Sequence, residues 1–350
     1  MSNLKNIFRK NINELKSYQV SRDAYLNKKG IVFLDNCENN FGSALGKGLE
    51  RYPSSSQEEL KSAIATYKSV EKEQVVLGNG SDELIDLLMR ATCEPGKDNI
   101  LISEPTFGMY RIYAQLNNVE VLQAPLTKTN FEYDVDAVLK AITKNTKIIF
   151  VCSPNNPSGG SISTMDLTKL LQSFKGFVVV DEAYIDFSEK ESHLKLIDSF
   201  SNLVVLQTFS KAWGLAGLRI GVAYANQEIT DTLNKIRPPY NISTFSQQLL
   251  LTALEAPEIT TRLIKKVKKL KEETHQKLKQ FSFIKKIYPS DGNFFLLKVE
   301  DANRLCENLK QYDILISNRN SLLNCKNHVR ISIGTNKEMN QLFKVLKNYK

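Results

Sequence analysis

Short apolar runs that alternate with helix-like patterns are the feature that most restricts the fold of this chain of 350 residues. The helix-like patterns carry apolar residues at helical spacing, as at residues 57–67 and 164–174. Near-continuous apolar strands, each followed by a helix, are typical of a mostly parallel sheet with helices on both faces. We therefore predict an α/β fold built on such a sheet. The predicted strands lie at residues 75–77, 99–103, 119–122, 147–152, 177–181 and 203–206.

The sequence changes character after the Arg-Pro-Pro-Tyr stretch at residues 237–240. A long lysine-rich helix follows, and then short strands and helices, which predicts a smaller α+β domain. Near the N-terminus we predict a strand at residues 31–34, and in the C-terminal part strands at 314–316 and 329–334. We expect an N-terminal arm with part of the small domain at residues 1–40, a large domain at 41–240 and a small C-terminal domain at 241–350.

Composition excludes several classes of protein. Apolar residues make up 42% of the chain and charged residues 24%, which is ordinary for a folded enzyme and not for a disordered protein. The five cysteines are odd in number and not closely paired, and the three histidines lie far apart. This pattern argues against a disulfide framework and against a Cys/His metal site. Since no apolar run approaches the length of a membrane span, we expect a cytoplasmic protein without a membrane partner.

The net charge of +9 raises nucleic acid as an alternative partner, and the lysine-rich stretch at residues 265–271 is its best evidence. Apolar residues recur there at helical spacing, so we interpret the lysines as the solvated face of an amphipathic helix. No aromatic residues are interleaved for base stacking. We therefore expect no nucleic-acid partner. The positive charge also suits an anionic cofactor or substrate.

Lys211 is the strongest candidate for a reactive residue. It follows the predicted strand at 203–206, and ligands of open α/β sheets bind at strand ends. Ser210 precedes it, Arg219 follows eight positions later, and nearby glycines would let a ligand approach the backbone closely. A lysine beside a strand end is more often a solvated surface residue, so this interpretation depends on the other motifs.

Two further motifs predict a ligand site at the same edge of the sheet. Residues 78–82 join a strand to a helix start, where unpaired backbone N–H groups attract an anion such as phosphate. A plain helix cap is the alternative. Asp181 ends a fully apolar strand, where a carboxylate is costly unless it meets a cation or forms an internal cap or salt bridge. Because consecutive strands are usually neighbours, we expect Asp181 to lie close to Lys211.

Seven short motifs, in their order and spacing, carry a resemblance that runs from Tyr18 to Arg330. They lie at residues 80–83, 93–98, 105–110, 155–159, 180–184, 210–211 and 217–219. On these motifs the chain resembles the fold type I pyridoxal-phosphate aminotransferases, and within them the histidinol-phosphate aminotransferases.

The resemblance implies four catalytic residues. Lys211 would bind pyridoxal 5'-phosphate covalently and then move a proton between the substrate Cα and the cofactor. Asp181 would pair with the protonated pyridine nitrogen and keep the ring an electron sink. Tyr184 and Asn156 would donate hydrogen bonds to the phenolic oxygen of the cofactor.

The resemblance also implies how the cofactor is held. Ser210, Arg219 and the backbone amides of Ser81 and Asp82 would bind its phosphate. Phe107 would stack on the ring, where the family usually has tyrosine; stacking needs only a π face, so phenylalanine should serve.

A shared active site is a further implication. Tyr52 would reach the phosphate in the neighbouring subunit of a homodimer. The substrate's anionic end would meet Tyr18, Tyr52, Arg319 and Arg330. One departure bears on the substrate: the family's Arg-x-Arg before the final strand appears here as Ser317-Asn318-Arg319.

We therefore expect transamination of histidinol phosphate and imidazole-acetol phosphate, with 2-oxoglutarate and glutamate as the second pair, in histidine biosynthesis. An aromatic amino acid aminotransferase and a threonine-phosphate decarboxylase are enzymatic alternatives. A regulatory protein that keeps the fold without catalysis is an alternative from another class, and the intact Lys211, Asp181 and Tyr184 argue against it.

Overall fold

A seven-stranded sheet forms the larger part of the computed structural model, which describes residues 4–16, 31–46 and 49–349. Its strands are β1 (Val75–Asn79), β2 (Asn99–Ile102), β3 (Glu120–Gln123), β4 (Thr146–Cys152), β5 (Phe177–Asp181), β6 (Leu203–Thr208) and β7 (Ile220–Ala225). They are ordered β1-β7-β6-β5-β4-β2-β3. The strands from β2 to β6 pair in parallel, whereas β7 is antiparallel to both β6 and β1. The mostly parallel sheet is confirmed.

Helices cover both faces of this sheet, as predicted. The helices of this part are α1 (Lys10–Glu14), α2 (Glu58–Lys68), α3 (Gly80–Thr92), α4 (Met109–Leu116), α5 (Val135–Ala141), α6 (Thr164–Ser173), α7 (Gln227–Ile236) and α8 (Thr244–Leu254). Buried residues of α3, α4 and α7 pack in the core on one face. Those of α2, α5, α6 and α8 pack in the core on the other.

The strand β5 shows why the sequence forms a central strand. All five of its residues are buried, and side chains alternate between the two faces. Val178 and Val180 join one core, whereas Phe177 and Val179 join the other. Each such apolar side chain contributes about 1.5–3 kcal/mol by leaving water. A charged residue at Val179 would therefore disrupt the sheet.

A smaller antiparallel sheet forms the second unit, which confirms the predicted α+β part. Its strands β8 (Ile284–Ile287), β9 (Phe294–Val299), β10 (Ser317–Asn318) and β11 (His328–Ser332) are ordered β10-β11-β9-β8. They pack with α9 (Pro257–Leu278), α10 (Ala302–Lys310) and α11 (Asn336–Leu346). The boundary at residue 240 stays a prediction; Leu250 of α8 packs in a core of the large sheet.

The lysine-rich helix α9 joins the two units. Ile264 packs against a core of the large sheet, and Leu278 is buried in the core of the small sheet. Val267 packs against both cores. Lys268 pairs with Glu189 at 2.6 Å. Neither α9 nor any other helix in the described part of the chain has the length and apolar character needed to cross a membrane.

Two of the predicted strands are wrong. Residues 31–34 are not a strand, and Val32 and Leu34 are 78% and 79% exposed, with no described strand beside them. Residues 314–316 are not a strand either, because the chain there turns out of α10: Asp313 has a positive φ of 58° and Ile314 N–H donates to Leu309 C=O. The edge strand β10 begins one residue later.

Candidate active site

Strand ends of the large sheet meet one end of the small sheet at a pocket of about 440 Å³, a volume in the range of small-molecule sites. Strands β5 and β6 pair directly, so Asp181 and Lys211 come from adjacent strand ends, as predicted. The pocket also brings together most of the other residues predicted for the site. Those that line it are Ser81, Asp82, Phe107, Asn156, Asp181, Tyr184, Ser210, Lys211, Arg219, Arg319 and Arg330.

One end of the pocket is a cradle suited to an anion. The helix α3 begins at Gly80, directly after β1, so the first backbone N–H groups of the helix face this end. Gly80 N–H donates to Arg219 C=O at 2.8 Å, and Arg219 itself has a positive φ of 56°. The Arg219 guanidinium lies 3.5 Å from the Asp82 carboxylate.

Two glycines make this close packing feasible. Gly80 has a φ of +77°, and a Cβ there would lie 2.5 Å from Nη2 of Arg219. A Cβ at Gly221 would overlap the backbone nitrogen of Ser81. Side chains at either position would therefore fill the cradle. The residues fit a phosphate group, because N–H donors, the Ser210 hydroxyl and a guanidinium converge there.

Asp181 lies at the buried floor of the pocket, with 2% of its surface exposed. One carboxylate oxygen accepts from the Tyr110 hydroxyl at 2.7 Å, and the other from the Ala183 N–H at 3.0 Å. Burial raises the pKa of Asp181, and these two donors and the charge of Lys211 oppose that shift. The site therefore contains a deeply buried carboxylate, each of whose oxygens accepts one hydrogen bond from the protein.

Lys211 lies at the mouth of the pocket, with its Nζ 5.5 Å from the centre of the Tyr184 ring. Although the side chain keeps contact with solvent, partial loss of water lowers its pKa, and the positive charge of Arg330 lowers it further. Asp181 and Asp82 oppose this shift. A lysine with a lowered pKa is more often neutral, and so a better nucleophile and base.

Tyr184, Asn156 and Arg330 form a chain of contacts across the pocket. Asn156 Nδ2 lies 3.4 Å from the Tyr184 hydroxyl, and Arg330 Nη1 donates to Asn156 Oδ1 at 2.5 Å. Burial raises the pKa of Tyr184 to about 12, so its hydroxyl remains a donor at neutral pH. The Asn156–Pro157 peptide bond is cis.

Two guanidiniums, Arg330 from β11 and Arg319 from the loop after β10, line the pocket on the side of the small sheet. Within the residues that the structure describes, the buried Nε atoms of Arg319 and Arg330 have no hydrogen-bond partner. Burial lowers the pKa of Arg319, and the adjacent positive charge of Arg330 lowers it further. Unpaired buried donors of this kind are costly unless an anion meets them.

Of three further residues predicted for the site, one lines the pocket, one does not, and one lies outside the described residues. Phe107 lines the pocket and packs edge-on against Tyr110. Tyr52 does not line the pocket of its own chain; it is 51% exposed and stacks on Tyr240 with ring centres 4.6 Å apart. Tyr18 lies outside the described residues.

Sequence reasoning missed Tyr110 and the apolar wall of the pocket. Tyr110 is fully buried, and the sequence carries no sign that its hydroxyl meets Asp181, which lies 71 positions away. Met109, Ile112 and Leu322 line the wall beside Phe107. Across the described ranges, no cluster of His, Cys, Asp and Glu could hold a metal ion.

Comparison with known proteins adds three findings. The sequence pattern of the family described as aminotransferase class I and II matches residues 36–346. The histidinol-phosphate aminotransferase of Cytophaga hutchinsonii is 45% identical over 346 residues, which is 99% of each chain. The crystal structure of the histidinol-phosphate aminotransferase from Clostridium acetobutylicum superposes with a TM-score of 0.79 at 25% identity, covering 86% of this chain and 90% of that one.

A further solved structure is similar in fold. It is the histidinol-phosphate aminotransferase from Sinorhizobium meliloti in complex with pyridoxal-5'-phosphate, with a TM-score of 0.76 at 20% identity. The similarity covers 86% of this chain and 84% of that chain.

Proposed function

The chain belongs to the class I and II aminotransferases, and on that premise we propose that it transfers the amino group of histidinol phosphate to 2-oxoglutarate. The products are imidazole-acetol phosphate and glutamate. The observation that supports the proposal is the convergence of Lys211 and Asp181 in one pocket with two guanidiniums, Arg319 and Arg330. Each of these has a buried Nε without a hydrogen-bond partner among the described residues. Lys211 and the two arginines, which could bind an anion in addition to the cofactor phosphate, then face the same pocket.

The family uses pyridoxal 5'-phosphate, which when bound supplies an electron sink that stabilises negative charge at the substrate Cα. The anion cradle fits its phosphate: Ser210, Arg219 and the first-turn amides at Ser81 and Asp82 would hold it. The Asp181 carboxylate would pair with the ring nitrogen, and Phe107 would cover one face of the ring.

Lys211 has two roles in this proposal. Its neutral Nζ would attach to the cofactor, and the lowered pKa increases the neutral fraction. After the substrate amine displaces it, the same Nζ would take the proton from the substrate Cα and return it on the cofactor side. Tyr184 and Asn156 would orient the phenolic oxygen of the ring through their hydroxyl and amide donors.

Arg319 and Arg330 would bind the substrate phosphate, together with Tyr18. The chain has Ser317 where the resemblance leads us to expect a first arginine, and Arg319 would supply the charge instead. Ser317 pairs with Arg330 across β10 and β11, so an arginine at position 317 would lie next to the guanidinium of Arg330.

The active site would be shared between two subunits of a homodimer. Tyr52 does not line the pocket of its own chain, and its loop is held by Glu38, which accepts from Tyr52 N–H at 2.8 Å and from Arg51 at 2.6 Å. Nearby apolar side chains are exposed to a degree that suits an interface. They are Val32, Leu34, Phe41 and Leu45, at 78–100% exposure.

Mixing two inactive variants tests the shared site. In a hybrid of Lys211→Ala and Tyr52→Ala chains, one site has both defects and the other has neither. A 1:1 mixture, dissociated and reassembled, should regain about a quarter of wild-type activity because about half of the dimers are hybrids. If Tyr52 serves its own chain, every site keeps a defect and no activity returns.

We also propose a cytoplasmic location. All five cysteines lie in the described part of the chain and are free thiols, as a reducing compartment would keep them. Redox-state labelling of the thiols in intact cells would test this, and a protein with oxidised cysteines would contradict it.

A donor panel tests the substrate. The loaded protein is mixed with histidinol phosphate, phenylalanine or threonine phosphate, and the visible spectrum, glutamate formation and carbon dioxide release are recorded. We expect the spectrum to convert to the amine form fastest with histidinol phosphate, without carbon dioxide. Faster conversion with phenylalanine would favour an aromatic aminotransferase, and release of carbon dioxide from threonine phosphate would favour a decarboxylase.

A further inference from the structure

Tyr110 is the only residue whose side chain donates a hydrogen bond to Asp181 in the part of the chain that the structure describes. It lies in the first turn of α4 and is fully buried, and its ring stacks on Phe150 with centres 4.7 Å apart. Phe107 packs edge-on against the same ring at 5.5 Å. Two aromatic contacts therefore fix the direction in which the hydroxyl points.

Packing alone would not require this hydroxyl. A phenylalanine would make the same ring contacts, and removing a buried hydroxyl from water is costly unless it finds an acceptor. Tyr224 provides the comparison: its ring is buried in β7, and its hydroxyl has no hydrogen-bond partner among the described residues. The hydroxyl of Tyr110 instead meets the one carboxylate on the pocket floor.

The contact affects both the position and the charge of Asp181. The Ala183 N–H holds one carboxylate oxygen and the Tyr110 hydroxyl holds the other, so the plane of the carboxylate is fixed from two sides. A hydrogen bond donated to a carboxylate favours its ionised form, which burial disfavours. Without Tyr110, the Ala183 N–H would be the one remaining hydrogen-bond donor to Asp181 among the described residues, beside the more distant charge of Lys211.

We propose that Tyr110 is a positioning residue that holds the Asp181 carboxylate charged and oriented toward the ring nitrogen of pyridoxal phosphate. This inference rests on the proposed function, because it assumes that the ring nitrogen of the cofactor would pair with Asp181. Tyr110 touches neither the cofactor nor the substrate and acts through Asp181.

Cofactor affinity provides a test that does not depend on turnover. The stripped full-length protein is titrated with pyridoxal phosphate and with its 1-deaza analogue, in which the ring nitrogen is replaced by a C–H group. The ratio of the two dissociation constants measures the pairing between Asp181 and the ring nitrogen. We expect Tyr110→Phe to lower the preference for pyridoxal phosphate about 5- to 10-fold, because the pairing depends on a charge-assisted hydrogen bond.

Tyr133→Phe is the matched control. Tyr133 donates to the backbone C=O of Cys152 at 2.7 Å, the same length as the bond from Tyr110, but does not contact Asp181. Both variants lose one hydrogen bond near the site, so both should lower the melting temperature by similar amounts. The preference for pyridoxal phosphate over the analogue should change only in Tyr110→Phe.

An unchanged ratio in folded Tyr110→Phe would overturn the proposal, as would equal changes in both variants. If Tyr110→Phe does not fold, 3-fluorotyrosine at position 110 replaces it: a more acidic hydroxyl should increase the preference, and no change would count against the role. Failure of the proposed function looks different, since the wild-type protein would then not bind pyridoxal phosphate in a way that depends on Lys211.

Discussion

The two halves of the pocket are built from different parts of the molecule. What we propose as the cofactor half consists of Asp181, Lys211 and the anion cradle, and it lies at strand ends of the large sheet. What we propose as the substrate half consists of Arg319 and Arg330, which come from the small sheet and the loop beside it. Parallel strands buried on both faces fix the first half. The second half depends on how the small sheet packs against the large one.

The hydrogen bonding of the two halves differs in the same way. Asp181 has two donors from the protein, and the cradle is closed by the Gly80–Arg219 backbone bond. Arg319 and Arg330 retain unpaired Nε atoms among the described residues. We infer that the large sheet determines the chemistry and that the small unit determines the choice of substrate. Four substitutions test this separation.

Lys211→Ala should have the largest effect. Turnover should fall by at least about 10⁴-fold, because the variant lacks both the covalent attachment and the base. The visible absorbance of the imine between Lys211 and the cofactor should disappear. Absorbance and steady-state rates measure both. Lys268→Ala, which removes a lysine paired with Glu189, is the control. Retention of absorbance and turnover in Lys211→Ala would refute the assignment.

Asp181→Asn should come second. We expect about a 10²- to 10³-fold loss in turnover, because a neutral amide cannot keep the ring nitrogen protonated, while the cofactor remains bound through the cradle. Stopped-flow spectra with histidinol phosphate would measure the loss. Asp186→Asn, which affects a carboxylate paired with Lys68 at 3.5 Å, should keep wild-type rates. Wild-type rates in Asp181→Asn would remove it from the cofactor half.

Arg319→Ala tests the substrate half. We expect KM for histidinol phosphate to rise about 10- to 100-fold, since a charged hydrogen bond is lost, with little change in cofactor affinity. Arg304→Ala, a guanidinium over the Tyr349 ring, is the control. A loss of cofactor affinity in Arg319→Ala would show that the two halves are not separate.

Ser317→Arg should have the smallest effect. Ser317 pairs with Arg330, and directly opposed residues share a face of the sheet, so the new guanidinium should lie beside the substrate phosphate and lower KM about two- to fivefold. Asn318→Arg adds the same charge on the opposite face, where successive strand residues point. Equal changes in both variants would mean that net charge, and not position, is responsible.

Much of the cofactor half could be predicted from the sequence because its signals are local. Runs such as residues 177–181 indicate buried strands, and their order puts Asp181 and Lys211 at neighbouring strand ends. The glycines at 78 and 80 indicate a close backbone approach before a helix start. The roles of the side chains required the family resemblance in addition, and they stay predictions until variants are measured.

The rest could not be predicted, because it depends on contacts between distant residues. The Tyr110 hydroxyl meets Asp181 across 71 positions, and Arg330 meets Asn156 across 174. Residues 31–34 have the apolar composition of a strand, yet a strand needs a neighbour and the described chain provides none. An apolar pattern indicates that a segment is buried. It does not indicate whether the segment packs in a sheet of its own chain or against a second copy of the chain.

The hydrogen bond from Arg330 to Asn156 joins residues 174 positions apart, which the ribosome adds to the chain at different times. Domains tend to fold as they emerge from the ribosome, N-terminal parts first. The anion cradle, Asp181 and Lys211 are all translated by residue 221, whereas Arg319 and Arg330 emerge near the end of the chain. A nascent chain therefore contains its own proposed cofactor residues well before it contains the two arginines proposed for the substrate.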